Sequence, residues 1–129
     1  SSLYHVNSIE MDDERFYYLV YNCALFKKSN ILCINANYLE IMYKLKQDVI
    51  FIDPPWGGKD YKNAQSMTIN IDNIPLESIC KDIYNNNLCS MLILKLPLNY
   101  NIDNFDSLIK KYMRVEKLQK ILVLIFIFN

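Results

Sequence analysis

Glycine is almost absent from this chain. Only two occur among 129 residues, Gly57 and Gly58, and they are adjacent. The conformational freedom that glycine alone gives the backbone is therefore confined to one point. Histidine and tryptophan are equally scarce, with one of each, His5 and Trp56. The four cysteines, Cys23, Cys33, Cys80 and Cys89, form no C-x-x-C pair and lie far from His5 in sequence. That spacing argues against a zinc site, so no metal is expected, and the cysteines read as buried, reduced thiols of an intracellular protein. Neither sign of charge is in excess: 14 basic and 14 acidic residues leave a formal net charge of zero. A non-specific nucleic-acid binder uses a global basic field, and this chain has none, so any nucleic-acid contact must be local. No signal peptide is visible, and the C-terminal run Ile121–Phe128 is about half a membrane span. It reads as a buried strand, with no membrane partner expected.

What is present describes a globular chain, 52% hydrophobic and 22% charged. Its richness in Asn, Ile, Lys and Tyr fits an AT-rich genome. Residues 3–11 read as a strand ending in an acid, and Asp12 or Asp13 can cap a helix running to about Phe26. Phe16, Leu19, Val20, Cys23 and Ala24 recur at helical spacing and define one apolar face. A short strand, "ILCIN", follows, then a short helix over Tyr38–Leu45. Val49–Asp53 reads as a continuous apolar strand buried on both faces of a parallel sheet. Residues 54–74 form a long loop, and a helix begins at Pro75 and ends near Tyr84 before "NNN". "LCSMLILKL" is a buried strand, Asp103 can cap a helix to about Lys111, and two strands, 112–117 and 120–128, close the chain as a hairpin. The alternation implies one α/β domain over residues 1–129: a mostly parallel sheet with helices on both faces and one antiparallel strand at the C-terminal end.

Ligands of such sheets bind beyond the carboxyl ends of the strands. Glu10, Asp53-Pro54-Pro55-Trp56 and Pro97–Asn99 are all expected there. The stretch "DVIFIDPPWGGKDY", residues 48–61, carries the chemistry. Prolines fix φ and remove N–H donors, so this backbone offers carbonyl oxygens without competing donors. A carbonyl and the Asp53 carboxylate can both accept from one exocyclic amine, localising a lone pair otherwise delocalised into the ring. Attack on a methyl sulfonium then needs mainly positioning, which can lower a barrier by about 7–11 kcal/mol. Trp56 offers a flat surface on which a base stacks, worth about 1–3 kcal/mol, with a further increment for a cationic base. Gly57-Gly58 lets the chain turn sharply beside the indole.

"DPPWGGKDY" resembles the motif of the trimethylguanosine synthases, which methylate N2 of the guanine in 7-methylguanosine RNA caps. The similarity runs from about residue 5 to about 127. It implies a Rossmann-like methyltransferase fold, S-adenosyl-L-methionine as cofactor and capped RNA as partner. "VNSIEMD" resembles the family's second strand, whose acid binds the cofactor's ribose, a role that falls to Glu10 with Met11 beside it. "INANYL" resembles a segment carrying an Asp near the adenine; here it is Asn37, followed by Tyr38. By this resemblance Asp53 would serve both cofactor and amine, Trp56 would stack on the cationic base, and Tyr61, Lys59 and Lys62 would border the base and its phosphates. "LKLPLNY" resembles the family's L-P-R-N loop, with Leu98 in place of the arginine and Asn99 retained. Asp53 stands where animal members have Ser. The family's glycine-rich cofactor loop and first βα unit have no counterpart before Gly57. The expectation is a C-terminal portion of a methyltransferase domain, completed by an upstream segment or a partner chain.

Two other functions compete. Adenine-N6 methyltransferases also use D-P-P-W, although in the permuted families it lies upstream of the cofactor strands; ribosomal RNA guanine-N2 enzymes usually carry another aromatic after the prolines. A non-catalytic methyltransferase-like module binding RNA or a partner would account for the missing loop but not for the intact Asp53–Trp56 motif.

Overall fold

A computed structural model describes residues 4–57 and 65–129. The chain divides into two compact units, residues 1–45 and residues 46–129.

The first unit is a β-α-β element. Strand β1 (Val6–Glu10) lies parallel to β2 (Ile31–Asn35), with Glu10 opposite Asn35. Helix α1 (Asp13–Leu25) connects them and is capped by Asp12, whose side chain accepts from the Arg15 N–H. It ends where Lys27 adopts φ +53° and the N–H groups of Lys27 and Lys28 bond back to Ala24 and Cys23, closing the orphaned carbonyls. The expected apolar face of α1 is narrower than its periodicity suggests. Phe16, Leu19 and Cys23 are half-buried, while Val20 and Ala24 are exposed. The stripe that packs on β2 follows i, i+3, i+7, and Val20 and Ala24 lie outside it. The short helix expected over Tyr38–Leu45 is a single α turn, α2 (Tyr38–Ile41), capped by Asn37 and continued by a 3₁₀ turn (Met42–Lys44).

The second unit holds a four-stranded sheet in the order β3-β6-β8-β7. Strand β3 (Val49–Ile52) is parallel to β6 (Met91–Pro97), and β8 (Ile121–Ile127) runs antiparallel between β6 and β7 (Met113–Lys117). Three strands therefore share one direction and the C-terminal strand opposes them. Leu92, Leu94 and Leu96 face Phe126, Leu124 and Leu122 across the β6–β8 ladder, and all six are buried. Leu76, Ile79, Cys80 and Ile83 of α3 (Leu76–Asn85), together with Ile109 of α4 (Ser107–Lys110), complete this core. Helix α3 ends at the expected asparagines, Asn87 taking φ +51° while the Leu88 N–H bonds to the Ile83 carbonyl.

Three expectations are corrected here. Strand β3 is not buried on both faces: Ile50 is buried, but Val49 and Phe51 are 50% and 59% exposed at the edge of the four-stranded sheet. The loop over 54–74 contains a hairpin, β4 (Asn70–Ile71) with β5 (Ile74–Pro75), turning on Asp72 and Asn73, both at positive φ. The helix placed at 103–111 is a 3₁₀ turn (Ile102–Asn104) followed by the short α4, whose cap is Asp106. Phe105 separates them because its extended backbone (φ −68°, ψ 137°) directs the ring into the core, against Tyr100 and Phe126. Among the described residues no helix is long and apolar enough to cross a membrane.

Candidate active site

Asp53, Pro54, Pro55 and Trp56 directly follow the carboxyl end of β3, where an α/β sheet presents its ligand-binding groups. The parallel register that sets Ile52 opposite Leu94 brings Asp53 beside Lys95 of β6. Lys95 Nζ lies 3.6 Å from Asp53 Oδ2, and both side chains are partly exposed. Pro54 is buried, which anchors the motif, while Pro55 is exposed. The Trp56 indole N–H donates to the Lys95 carbonyl oxygen at 3.4 Å, and the ring stays half-buried. One residue of β6 thus contacts both the carboxylate and the indole. Gly57 has φ +82°, and a Cβ placed on it would meet nothing within 4 Å. Its requirement is the left-handed backbone after the indole, not close packing. Gly58, Lys59, Tyr61 and Lys62 lie outside the described residues.

The loop after β6 is fastened by its neighbours. The Met67 N–H donates to the Asn99 carbonyl and the Asn101 N–H to the Met67 carbonyl, both at 2.9 Å, forming a bridge centred on Tyr100. Tyr100 is buried and its hydroxyl donates to the Glu77 carboxylate at the start of α3. Burial first, then this hydrogen bond, pushes the phenol pKa far up, so Tyr100 remains a donor at any physiological pH. Asn99 is held half-buried on this loop and Leu98 is exposed. A cavity of about 430 Å³ in the second unit, lined by Asp48, Cys89 and Ser90 among others, opens instead at the amino ends of β3 and β6, away from Asp53.

In the first unit, Glu10 ends β1, and its carbonyl accepts from the Ala36 N–H at 3.2 Å. That bond ties the segment leading to Asn37 and Tyr38 to the same strand edge as Glu10. Glu10 Oε1 accepts from the Asp12 N–H at 3.1 Å, and Asn37 Oδ1 accepts from the Leu39 N–H at 3.0 Å. Met11 is exposed and Tyr38 half-buried. Among the described residues no group of three His, Cys, Asp or Glu is placed to hold a metal ion.

The sequence matches the RNA cap guanine-N2 methyltransferases over residues 1–128. The chain belongs to that family. It is also 39% identical over 111 residues to an uncharacterised protein of Acanthamoeba polyphaga mimivirus, covering 84% of this chain and 43% of the relative. The chain therefore spans less than half the length of that relative. Among solved structures it is similar in fold to a putative methyltransferase, yhhF, from Escherichia coli (TM-score 0.62, 15% identity, 95% of this chain and 63% of that one). It is similarly related to a human methyltransferase 10 domain containing protein (TM-score 0.58, 12% identity, 97% and 60%).

For a guanine-N2 methyltransferase family member, the structure gathers the expected residues in two sets. Asp53–Trp56 and Asn99 follow the carboxyl ends of β3 and β6 in one unit; Glu10, Met11, Asn37 and Tyr38 follow those of β1 and β2 in the other. Sequence reasoning missed Lys95, which read as one polar residue in an apolar strand. Its signal was available in hindsight: a lysine interrupting a buried run, "LILKLP", marks a strand position that faces something charged. It also missed Glu77 and Tyr100, whose pairing across 23 residues no local pattern reveals.

Proposed function

We propose that this chain takes part in methyl transfer from S-adenosyl-L-methionine to the exocyclic N2 amine of the guanine in 7-methylguanosine RNA caps. The observation that carries the reading is the placement of Asp53-Pro54-Pro55-Trp56 directly after β3, with the indole fixed through its N–H to Lys95 and the carboxylate partly exposed beside it. The family described above supports the guanine base and the cap.

The residues fit the cofactor in their chemistry. Glu10 is a two-oxygen acceptor at a strand's carboxyl end, with Oε1 on the Asp12 N–H, which suits a ribose diol. Asn37 engages its side-chain oxygen as a helix cap, so its amide nitrogen is the group chemically suited to meet an adenine acceptor. When bound, the cofactor supplies a methyl group made electrophilic by its sulfonium. Asp53 and the Pro54 carbonyl would accept the two amine hydrogens, localising the nitrogen lone pair and aiming it. The Asp53 carboxylate would then take the surplus proton as the new N–C bond forms. Trp56 would stack on the cationic 7-methylguanine, and Asn99 would border it. Lys59 and Tyr61 would meet the cap phosphates and the base edge. The methionine end of the cofactor is assigned to an upstream segment or a partner chain.

The test is transfer of labelled methyl from S-adenosyl-L-methionine by this chain to 7-methyl-GTP, with GTP and an adenine oligonucleotide in parallel. Label confined to 7-methyl-GTP supports the reading. Label on adenine replaces it with an adenine-N6 reading. Cofactor binding without transfer to any substrate would count against an amine-methylating site.

A further inference from the structure

The expectation of four buried thiols holds for only two of them. Cys80 and Cys89 are buried in the second unit, whereas Cys23 and Cys33 are half-buried in the first. Burial pushes the Cys89 thiol up to about 11 and the Cys80 thiol higher, which leaves both chemically quiet. Cys23 projects from the last turns of α1 and Cys33 from the middle of β2, and their sulfur atoms lie 3.7 Å apart. That is thiol–thiol contact. A disulfide needs about 2.05 Å between sulfurs, so closure requires a side-chain adjustment of under about 2 Å on elements that already pack together.

We propose that Cys23 and Cys33 are an oxidation site: a reversible disulfide that braces α1 against β2. The proposal is independent of the methyl-transfer reading. The oxidant is a small-molecule disulfide of the glutathione class. A Cys23 or Cys33 thiolate attacks one of its sulfurs and one glutathione thiolate leaves. The second cysteine thiolate then attacks the protein sulfur of the mixed disulfide, forming the Cys23–Cys33 bond and expelling the second glutathione. The two protein thiol protons pass to the two glutathione thiolates, so the protein pair is oxidised as the small disulfide is reduced.

The placement gives the bond a structural effect. α1 has no fully buried residue and stands over β2 through a thin stripe of contacts. The bridge would close a short loop over the α1–β2 connection, which restricts the ways in which α1 can leave the sheet. Desolvation by burial and the neighbouring Cys23 raise the Cys33 thiol above its ordinary value.

The experiment treats the folded chain with oxidised glutathione, then unfolds it in guanidinium, blocks remaining thiols with N-ethylmaleimide, and reads intact mass and tryptic peptides. The expected result is loss of two hydrogens, blocking of two thiols rather than four, and one cross-linked species joining peptides 16–27 and 29–44. Dithiothreitol should restore four reactive thiols. Amide exchange across α1 should slow by about tenfold in the oxidised form. Cys23→Ser should give a mixed disulfide at Cys33 and no cross-link; because the wild-type map stands alone, a folding defect in the variant leaves the test intact. Stable glutathione adducts without ring closure, a cross-link through Cys80 or Cys89, or unchanged exchange in α1 would overturn the proposal.

Discussion

The two units are built from the same kinds of residue and packed very differently. Between Lys46 and Asn129, leucines of β6 and β8 meet the apolar side of α3 in a continuous buried layer. Between Tyr4 and Leu45, Met42 is the one apolar side chain buried to a similar degree, while Tyr17, Tyr21, Leu25 and Phe26 of the α1 region are exposed. The proposed base-handling groups, Asp53 and Trp56, belong to the densely packed unit. The proposed cofactor groups, Glu10 and Asn37, belong to the thinly packed one. A constellation that must aim an amine lone pair benefits from a rigid support, whereas hydrogen bonds to a ribose and an adenine tolerate more play. Stability and base recognition should therefore depend chiefly on residues 46–129, and cofactor affinity on residues 4–45.

The largest expected effect breaks the packing contrast directly. Phe126→Ala should lower stability by about 3–5 kcal/mol in urea unfolding, whereas Tyr18→Ala, on the exposed side of α1, should change it by less than about 0.5 kcal/mol. Comparable losses for the two would erase the distinction between the units. Next comes chemistry. Asp53→Ala should reduce methyl transfer about a hundredfold and cofactor affinity far less, whereas Glu10→Ala should act chiefly on cofactor affinity. Calorimetric titration of S-adenosylhomocysteine alongside the transfer assay reads both, and a parallel fall in rate and affinity for Asp53→Ala would remove it from the amine-accepting role.

Trp56→Ala should weaken 7-methyl-GTP by about 1–3 kcal/mol and GTP by less, because the cationic ring gains most from the indole. Equal losses, measured by equilibrium dialysis, would argue against cap recognition. The smallest effect concerns the exposed pair of Lys81 and Asp106, 2.8 Å apart, which joins α3 to the cap of α4. The hydrogen bond from Lys81 lowers the Asp106 carboxyl and the same bond raises the Lys81 ammonium. For Asp106 the contribution is present above its ordinary value of 3.8 and is lost as pH falls through the lowered one. For Lys81 it is present below 10.5 and is lost as pH rises through the raised one. Lys81→Met should lower the neutral plateau slightly and leave stability at the acid end unchanged, so that the acid limb below about pH 4 becomes flatter. An unchanged acid limb would show that the pair adds nothing.

Much of the fold was legible because its signals are local. Asp12 capping α1, the asparagines ending α3 and the apolar runs of β6 and β8 are written in consecutive residues. The boundaries that failed depend on distant partners. Phe105 divides the expected 103–111 helix because its ring belongs to a cluster with Tyr100 and Phe126. Val49 and Phe51 read as core, yet their strand lies at the edge of its sheet. The position of Asp53–Trp56 after a strand was legible, since it lies in residue types at fixed spacing. Lys95, Glu77 and Tyr100 were not, because their importance comes from register and burial.

By itself the sequence determined the family, the βα alternation and the Asp53–Trp56 motif, each being a property of neighbouring residues or of a short run. Tertiary structure alone decided which apolar residues are buried, which lysine meets Asp53, what holds the Asn99 loop and which two thiols touch. Those are distances between segments far apart in the chain, set by strand order and register, and no local pattern of residues encodes them.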